Sequence, residues 1–440
     1  MKKTLINLFL IFIVSSAFAQ SEKITFQEYQ LDNGLTVLLH EDHSVPLVAV
    51  SVMYHVGSKN ENPDKTGFAH FFEHLMFEGS KYIKRGEFDK YLQNVGGMNN
   101  ANTNQDRTFY YEVLPSNNLE LALWLESERM LHANVDSIGI ETQREVVKEE
   151  KRQRIDNQPY GGFMKETFER AYKVHPYRWP VIGSMEDLNA ASYDDFKDFY
   201  KKFYVPNNAI LSISGDINLS ETKAFIEKYF STIPKGTYDL TRNYPSEPPL
   251  THEVRDTVYD NIQLPALIEA YRIPAIGTKD YYAAYMLSQL LSGGNSSRLN
   301  KRLVDKDQSA LYVGSFPYPL EDPGIHLVFA MANMGIDLKD IENSIDQEID
   351  EIKNNTIDDN EYQKLRNMVE SQYISNNTTN IQVAENLADY KMFYGDANLI
   401  NTELQRFMDV SKEDISNVAK KYFNKNNRVV LYYLPKKEVN

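Results

Sequence analysis

Two stretches of the chain match each other without a gap. SYDDFKDFYKKFYVPNNAILS begins at Ser192 and SKEDISNVAKKYFNKNNRVVL begins at Ser411, an offset of 219 residues. Ser192 and Asp195 coincide with Ser411 and Asp414, and the paired lysines, the paired asparagines and the apolar positions fall in register. Each stretch predicts an amphipathic helix, an Asn-Asn turn and a strand. Helical periodicity generates some matches of this kind by itself, but a repeat spaced by nearly half the chain predicts two equivalent domains, not a solenoid. A length of 440 residues, 42% of them hydrophobic, agrees, since single cores rarely grow past about 250–300 residues. The seam is expected at residues 234–254, PKGTYDLTRNYPSEPPLTHEV, which hold four prolines and few apolar side chains. The expected domains are then residues 20–233 and 255–440. GLTVLLHED and PLVAVSVMYHVGS predict an early β-hairpin and AILSISGDI a later strand, with helices between. Strands and helices that do not strictly alternate predict an α+β fold, each half an antiparallel sheet with helices packed on it.

The first residues, MKKTLINLFLIFIVSSAFAQ, set two lysines before a short apolar run and an Ala-Phe-Ala ending at Ala19. This is the pattern of a secretory signal peptide, residues 1–19, cleaved near Ala19. It predicts a bacterial periplasmic or secreted protein with no further membrane span. The formal net charge of -15 argues against nucleic acid as a partner and hints at basic peptides. The chain has no cysteine, so a metal site must be built from His, Asp and Glu.

Such a site is foreshadowed in GFAHFFEHLMFEGS, residues 67–80, an apolar helix interrupted by His70, Glu73 and His74. Residues i and i+4 share a helix face and i+3 lies beside them, so both imidazoles point at one place with a carboxylate next to it. Two His, a carboxylate and a water form a catalytic zinc set, and zinc held in this way acidifies water to a pKa of about 7. A carboxylate beside that water can take its proton. The alternative, polar residues facing solvent or satisfying each other, fits poorly with flanks as apolar as Phe71, Phe72, Leu75 and Met76. The order H-x-x-E-H is that of the inverzincins.

A third protein ligand is required. ETQREVVKEEKRQR, residues 141–154, predicts a helix with Val146 and Val147 on its buried face. Glu150 falls between the two valines, with Gln143 two turns earlier on the same face, whereas Glu145 and Glu149 fall outside it. Periodicity selects Glu150 as the inward carboxylate.

With these blocks in view the chain resembles the pitrilysin-type metallopeptidases, in the short-chain branch similar to mitochondrial processing peptidases. The resemblance runs through GGMNNANTNQDRTFYYEVLP, REVVKEEKRQR, HPYRWPVIGSMEDLNA, YVPNNAILSISGD and LLSGGNSSRLNKRLVDKDQSALYVGS, in the family's order and over essentially the whole mature chain. It implies that His70, His74 and Glu150 hold zinc and that Glu73 is the general base. It implies that Asn100, Ala101 and Asn102 lie on a sheet edge where an extended substrate adds as a strand. Read alone, NNANTN is equally a turn.

Two positions depart from the family. Gln143 stands where a glutamate is common, which weakens its influence on the zinc ligands. In the C-terminal half the family's Arg/Tyr pair is reduced to Tyr312, with Val304 at the arginine position. Tyr312 is either a donor to an oxyanion or a packed sheet residue. Tyr285, Ser288 and Gln289 replace His70, Glu73 and His74 in the second half, so one Zn²⁺ per chain is expected. The expected protein is a secreted zinc metalloendopeptidase acting on peptides or extended segments inside a two-chain chamber. A sister chain supplying the Arg/Tyr pair in a heterodimer is the expected partner, with a homodimer as runner-up. The alternative is a non-catalytic peptide-binding or scaffold subunit.

Overall fold

The computed structural model describes residues 23–436. The expected leader, residues 1–19, lies outside them. Eleven strands form two sheets. The first comprises β1 (Gln27–Gln30), β2 (Thr36–Glu41), β3 (Leu47–Tyr54), β4 (Met98–Thr103), β5 (Thr108–Pro115) and β6 (Ala209–Gly215), in the order β1-β2-β6-β3-β5-β4. The second comprises β7 (Val254–Asp260), β8 (Ala266–Arg272), β9 (Ala310–Tyr318), β10 (Ile325–Ala332) and β11 (Arg428–Pro435), in the order β7-β11-β8-β10-β9. Without β1, the two orders are one topology drawn twice: β2 corresponds to β7, β6 to β11, β3 to β8, β5 to β10 and β4 to β9. Each sheet is antiparallel apart from a single parallel pair, β2 with β6 and β7 with β11. The repeated helices Tyr193–Phe203 and Lys412–Tyr422 both open on a capping box, Ser192 with Asp195 and Ser411 with Asp414. No helix or strand occurs between residues 231 and 253. No helix among the described residues is long and apolar enough to cross a membrane.

The expected hairpin of β2 and β3 does not form. β6 lies between them, parallel to β2 and antiparallel to β3. All seven residues of β6 are buried, so this strand needs a neighbour on each edge and cover on each face. Placing it between β2 and β3 supplies both.

Each half covers one face of its sheet with its own helices and the other face with helices of its partner half. Val50, Val52, Leu211 and Ile213 pack with Phe71, Phe72 and Phe196 of the first half. On the reverse face, Leu38, Met53, Phe109 and Ile210 meet Val383, Leu387 and Ile400, from helices Asn380–Tyr394 and Leu399–Met408. Reciprocally, Ile268, Ala270, Leu327 and Leu431 of the second sheet are covered by Phe168, Ala171 and Tyr172 at the helix Phe163–Ala171. The two halves are thus folded into each other.

Polar bonds lock the same junction. Lys59, 1% exposed, holds Asp106 at 2.8 Å and also grips Glu321 from the second half. Tyr177 donates to Asp106 at 2.7 Å and accepts from the Asp322 backbone at 3.0 Å. Burial alone would raise the Glu321 carboxyl, but His55 and Lys59 hold it down at about 2. A carboxylate held low stabilises the fold fully above its ordinary value near 4.5, and that contribution drains away as pH falls toward 2. In a Glu321→Gln variant this part of the acid destabilisation should vanish, a difference that urea titrations at pH 7 and at pH 3 can read. Lys59→Met should cost about 3–5 kcal/mol, because it leaves Asp106 buried without its cation. A drop in the urea midpoint with an unchanged slope measures it.

Candidate metal centre

The short helix Phe68–Leu75 carries the three polar residues. It starts after Gly67, whose φ of 92° and whose 2.7 Å clearance from the Ile182 carbonyl exclude a side chain. The buried carboxylate of Glu61 accepts the free N–H groups of Gly67 at 2.9 Å and Ala69 at 2.8 Å. Burial pushes the Glu61 carboxyl well above its usual range in spite of these bonds. The apolar face is clamped by the repeated helix Tyr193–Phe203: the rings of Phe68 and Phe71 lie 4.6 and 4.5 Å from Phe196, and Phe72 lies 4.9 Å from Tyr204. With that face fixed, His70 and His74 turn toward the helix Ser137–Lys151.

That helix buries Ile140, Arg144 and Val147. Val147 sits where the sequence puts it, but Val146 does not: it is 43% exposed. The buried stripe runs Ile140, Arg144, Val147 and on to Glu150 at steps of three and four, and Val146 lies one residue, about 100°, off it. Glu145 and Glu149 are exposed and bonded to Lys148 and Arg152, as periodicity expects.

Glu150 Oε2 stands 3.0 Å from His74 Nε2 and 3.5 Å from His70 Nε2. The imidazole rings are 4.9 Å apart, and one ligand atom from each of the three residues lies within 4.8 Å of the others. Glu150 Oε2 has no hydrogen bond of regular geometry, and neither has the buried Nδ1 of His70. Burial, reinforced by His74, pushes His70 down to about 4, so this imidazole is neutral at pH 7. Contact with His74 leads in holding the Glu150 carboxyl below its usual range, against burial. Arg154, on the helical turn Arg152–Asp156, lies 2.8 Å from the other oxygen, Oε1. The neutral imidazole of His70, an ionised carboxylate and a buried oxygen without a regular hydrogen bond suit a divalent cation of zinc type.

Glu73 lies beside this group. Burial raises its carboxyl, and the Thr103 hydroxyl, donating to Oε2 at 2.7 Å, counters the rise. The sequence reading missed Thr103. The signal was present: β4 alternates, so Ala101 and Thr103 share the face turned to the histidine helix, and Asn100 and Asn102 point the other way. NNANTN is a strand, not a turn, and β4 is the open edge of the first sheet. Asn102 accepts from Arg107 at 2.6 Å, and Arg107 is itself held by Glu385 and Asp389 of the second half.

Other expected residues stand elsewhere. Gln143 donates to Glu78 and bonds neither histidine. Val304 packs partly buried against the second core. Tyr312 is 57% exposed on β9, its ring 6.1 Å from Phe329. The strand contributes Tyr318, not Tyr312, to the 360 Å³ chamber beside His70. Tyr312 is six residues, about 20 Å, further along β9. In the second half, at the helix Lys279–Ser292, Tyr285 donates to Gln372 at 3.0 Å and Ser288 to the Tyr285 carbonyl at 2.7 Å.

Residues 36–183 match the family described as insulinase (peptidase family M16), and residues 190–369 match the peptidase M16 inactive domain. The chain is 32% identical to the zinc protease PqqE of Helicobacter pylori, over 98% of this chain and 97% of that protein. A crystal structure of a protease from Helicobacter pylori superposes with a TM-score of 0.90 at 32% identity, covering 94% of this chain and 100% of that one. The periplasmic protease PqqL of Escherichia coli shares the fold, with a TM-score of 0.77 at 19% identity, over 94% of this chain and 48% of that one.

Glu61→Ala should cost about 1–3 kcal/mol, because two buried N–H groups lose their acceptor. Glu61→Gln, which keeps one carbonyl oxygen, should cost roughly half as much. Denaturant titration of the two variants checks the order.

Proposed function

This chain belongs to the M16 peptidase family, and we propose that it is a zinc metalloendopeptidase cleaving peptides or extended protein segments. The observation that carries this reading is the approach of His70, His74 and Glu150 to within 4.8 Å around an oxygen that no protein group satisfies. His70, His74 and Glu150 would hold the ion. Zinc bound there supplies a Lewis acid that activates water and polarises a carbonyl.

The remaining work falls to side chains of this chain. Glu73 takes the proton of the attacking water and returns it to the leaving amine. Its burial keeps its proton affinity closer to neutrality than that of a free carboxylate, which suits a group that must both accept and donate. Thr103 is a positioning residue: by occupying Oε2 it leaves the other oxygen of Glu73 for water. The substrate lies extended along β4 at Asn100, Ala101 and Asn102, bonded through its backbone, which tolerates many sequences. Arg107 braces that edge by fixing the Asn102 side chain.

One ion per chain follows from Tyr285, Ser288 and Gln289 at the equivalent helix. The leader-like pattern of residues 1–19 supports a location in the periplasm or outside the cell, in keeping with the periplasmic PqqL. Val304 in place of an arginine favours a heterodimeric chamber with a sister chain, and a homodimer is the runner-up. Measured mass and activity of the purified chain, alone and with proteins from its source, separate the two.

Metal analysis should find about one zinc per chain, lost in His74→Ala and Glu150→Ala. Glu73→Gln should keep the zinc and lose about 10²–10⁴-fold in kcat/KM on an unstructured peptide. Thr103→Val should lower kcat about tenfold with KM and zinc content unchanged, and Thr103→Ser should restore it. A chain without stoichiometric zinc, or a Glu73→Gln variant as active as the parent, would leave the peptide-binding scaffold as the better reading.

A further inference from the structure

Resting on the peptidase reading, we propose that the cleft selects segments bearing a carboxylate next to a large apolar side chain. Lys165, Lys173 and Arg178 are the residues that read the carboxylate. The 360 Å³ chamber beside His70 begins where β4 ends, at Thr103. Its walls are largely apolar, with Ile155, Met164, Phe168, Val181 and Ile182 among them. The charged side chains that line it are Lys151 and Lys165, and it contains no carboxylate. A larger basin of 710 Å³ shares Lys151, Lys165, Trp179 and Pro180 with the chamber and adds Lys173 and Arg178. A chain leaving β4 past the metal centre therefore crosses an apolar chamber and then a lysine- and arginine-bearing basin.

The ion pairs in this region show which cations are free. Lys151 is bound to Asp156 at 2.8 Å. Lys165 is 44% exposed, and its nearest carboxylates, Glu169 and Glu166, stand at 3.5 and 3.6 Å, too far for hydrogen bonds. Among the described residues neither Lys173 nor Arg178 has a carboxylate partner; Arg178 donates to the Lys173 carbonyl at 3.0 Å. The acids in the basin are Asp187, which accepts from Thr66, Glu169, 3.5 Å from Lys165, and Glu186. Four cations and three carboxylates line the basin, a small positive excess, although the chain as a whole carries -15. A substrate lysine or arginine entering the chamber would be desolvated beside two ammonium groups with no carboxylate to meet it. An apolar side chain fills the chamber without that penalty, and a neighbouring carboxylate pairs with the free cations. The overall charge, which hints at basic substrates, is thus opposed by the local one.

The test uses the zinc-loaded Glu73→Gln protein, which binds peptide without cutting it. Fluorescent peptides of one length carry a single phenylalanine followed by Glu-Glu, Gln-Gln or Lys-Lys, each with a free or an amidated C-terminus, and anisotropy gives Kd. The Glu-Glu peptides should bind about three- to tenfold more tightly than Gln-Gln at low ionic strength, and Lys-Lys more weakly still. The gap should close as salt is added. Adding Lys165→Met or Arg178→Gln should bring the Glu/Gln ratio toward one, with zinc content and Tm reporting that the variants are folded. If amidation weakens all three sequences alike, the carboxylate read is the chain terminus; if the Glu-Glu preference survives amidation, it is the acidic side chain. Equal binding of the three sequences with either terminus, or tighter Lys-Lys binding, overturns the inference while leaving the peptidase reading in place. Absence of binding by every peptide overturns both.

Discussion

Setting two imidazoles and two carboxylates into the wall of an apolar core is the constraint around which the first half is arranged. Unpaired, such groups cost several kcal/mol each in lost hydration. The helix that carries them is short, and helices of that length are marginal unless tertiary packing holds them. Each part of the surroundings answers one of these difficulties. Glu61 satisfies the open N-terminus, Phe196 and Tyr204 fix the apolar face, and Val147 and Ile140 seat the helix that brings Glu150. Where the three side chains meet, Glu150 Oε2 and His70 Nδ1 are without hydrogen bonds of regular geometry, and a cation there would complete the set.

The second half, though without this chemistry, is not an idle copy. Its helices cover the reverse face of the first sheet, and the first half returns the favour with Phe168 and Tyr172. Neither sheet could keep both faces dry alone. The exchange reaches the open edge β4: Glu385 and Asp389 hold Arg107, Arg107 holds Asn102, and the next residue, Thr103, bonds Glu73. A half that has lost its metal ligands thereby still determines where β4 stands relative to the metal centre.

Much of this was legible in the sequence because it depends on local periodicity. The repeat marked both capping boxes, three-four spacing picked out His70, His74 and Glu150, and alternation along β4 contained Thr103 even though the reading passed over it. What escaped depends on contacts distant in the chain. Which strand separates β2 from β3 cannot be read from either; it follows from β6 being apolar on both faces. Val146 and Val147 look alike in a helical wheel, and only the stripe through Ile140 and Arg144 decides between them. Tyr312 fits a motif, but its strand presents Tyr318 to the chamber by the metal centre. The helix exchange between halves has no local signature at all.

The internal duplication also provides a control on what makes the first half a site. The same helix position, in the same topology, exists in both halves, so the backbone by itself does not explain the buried polar groups. In the second half Tyr285 and Ser288 find partners within the protein, in Gln372 and a backbone carbonyl, as buried polar groups ordinarily do. In the first half the counterpart atoms converge on each other and leave a carboxylate oxygen and an imidazole nitrogen without hydrogen bonds. At this helix position one copy satisfies its polar groups within the chain and the other leaves two of them open. A divalent cation between His70, His74 and Glu150 would account for that difference between the two halves.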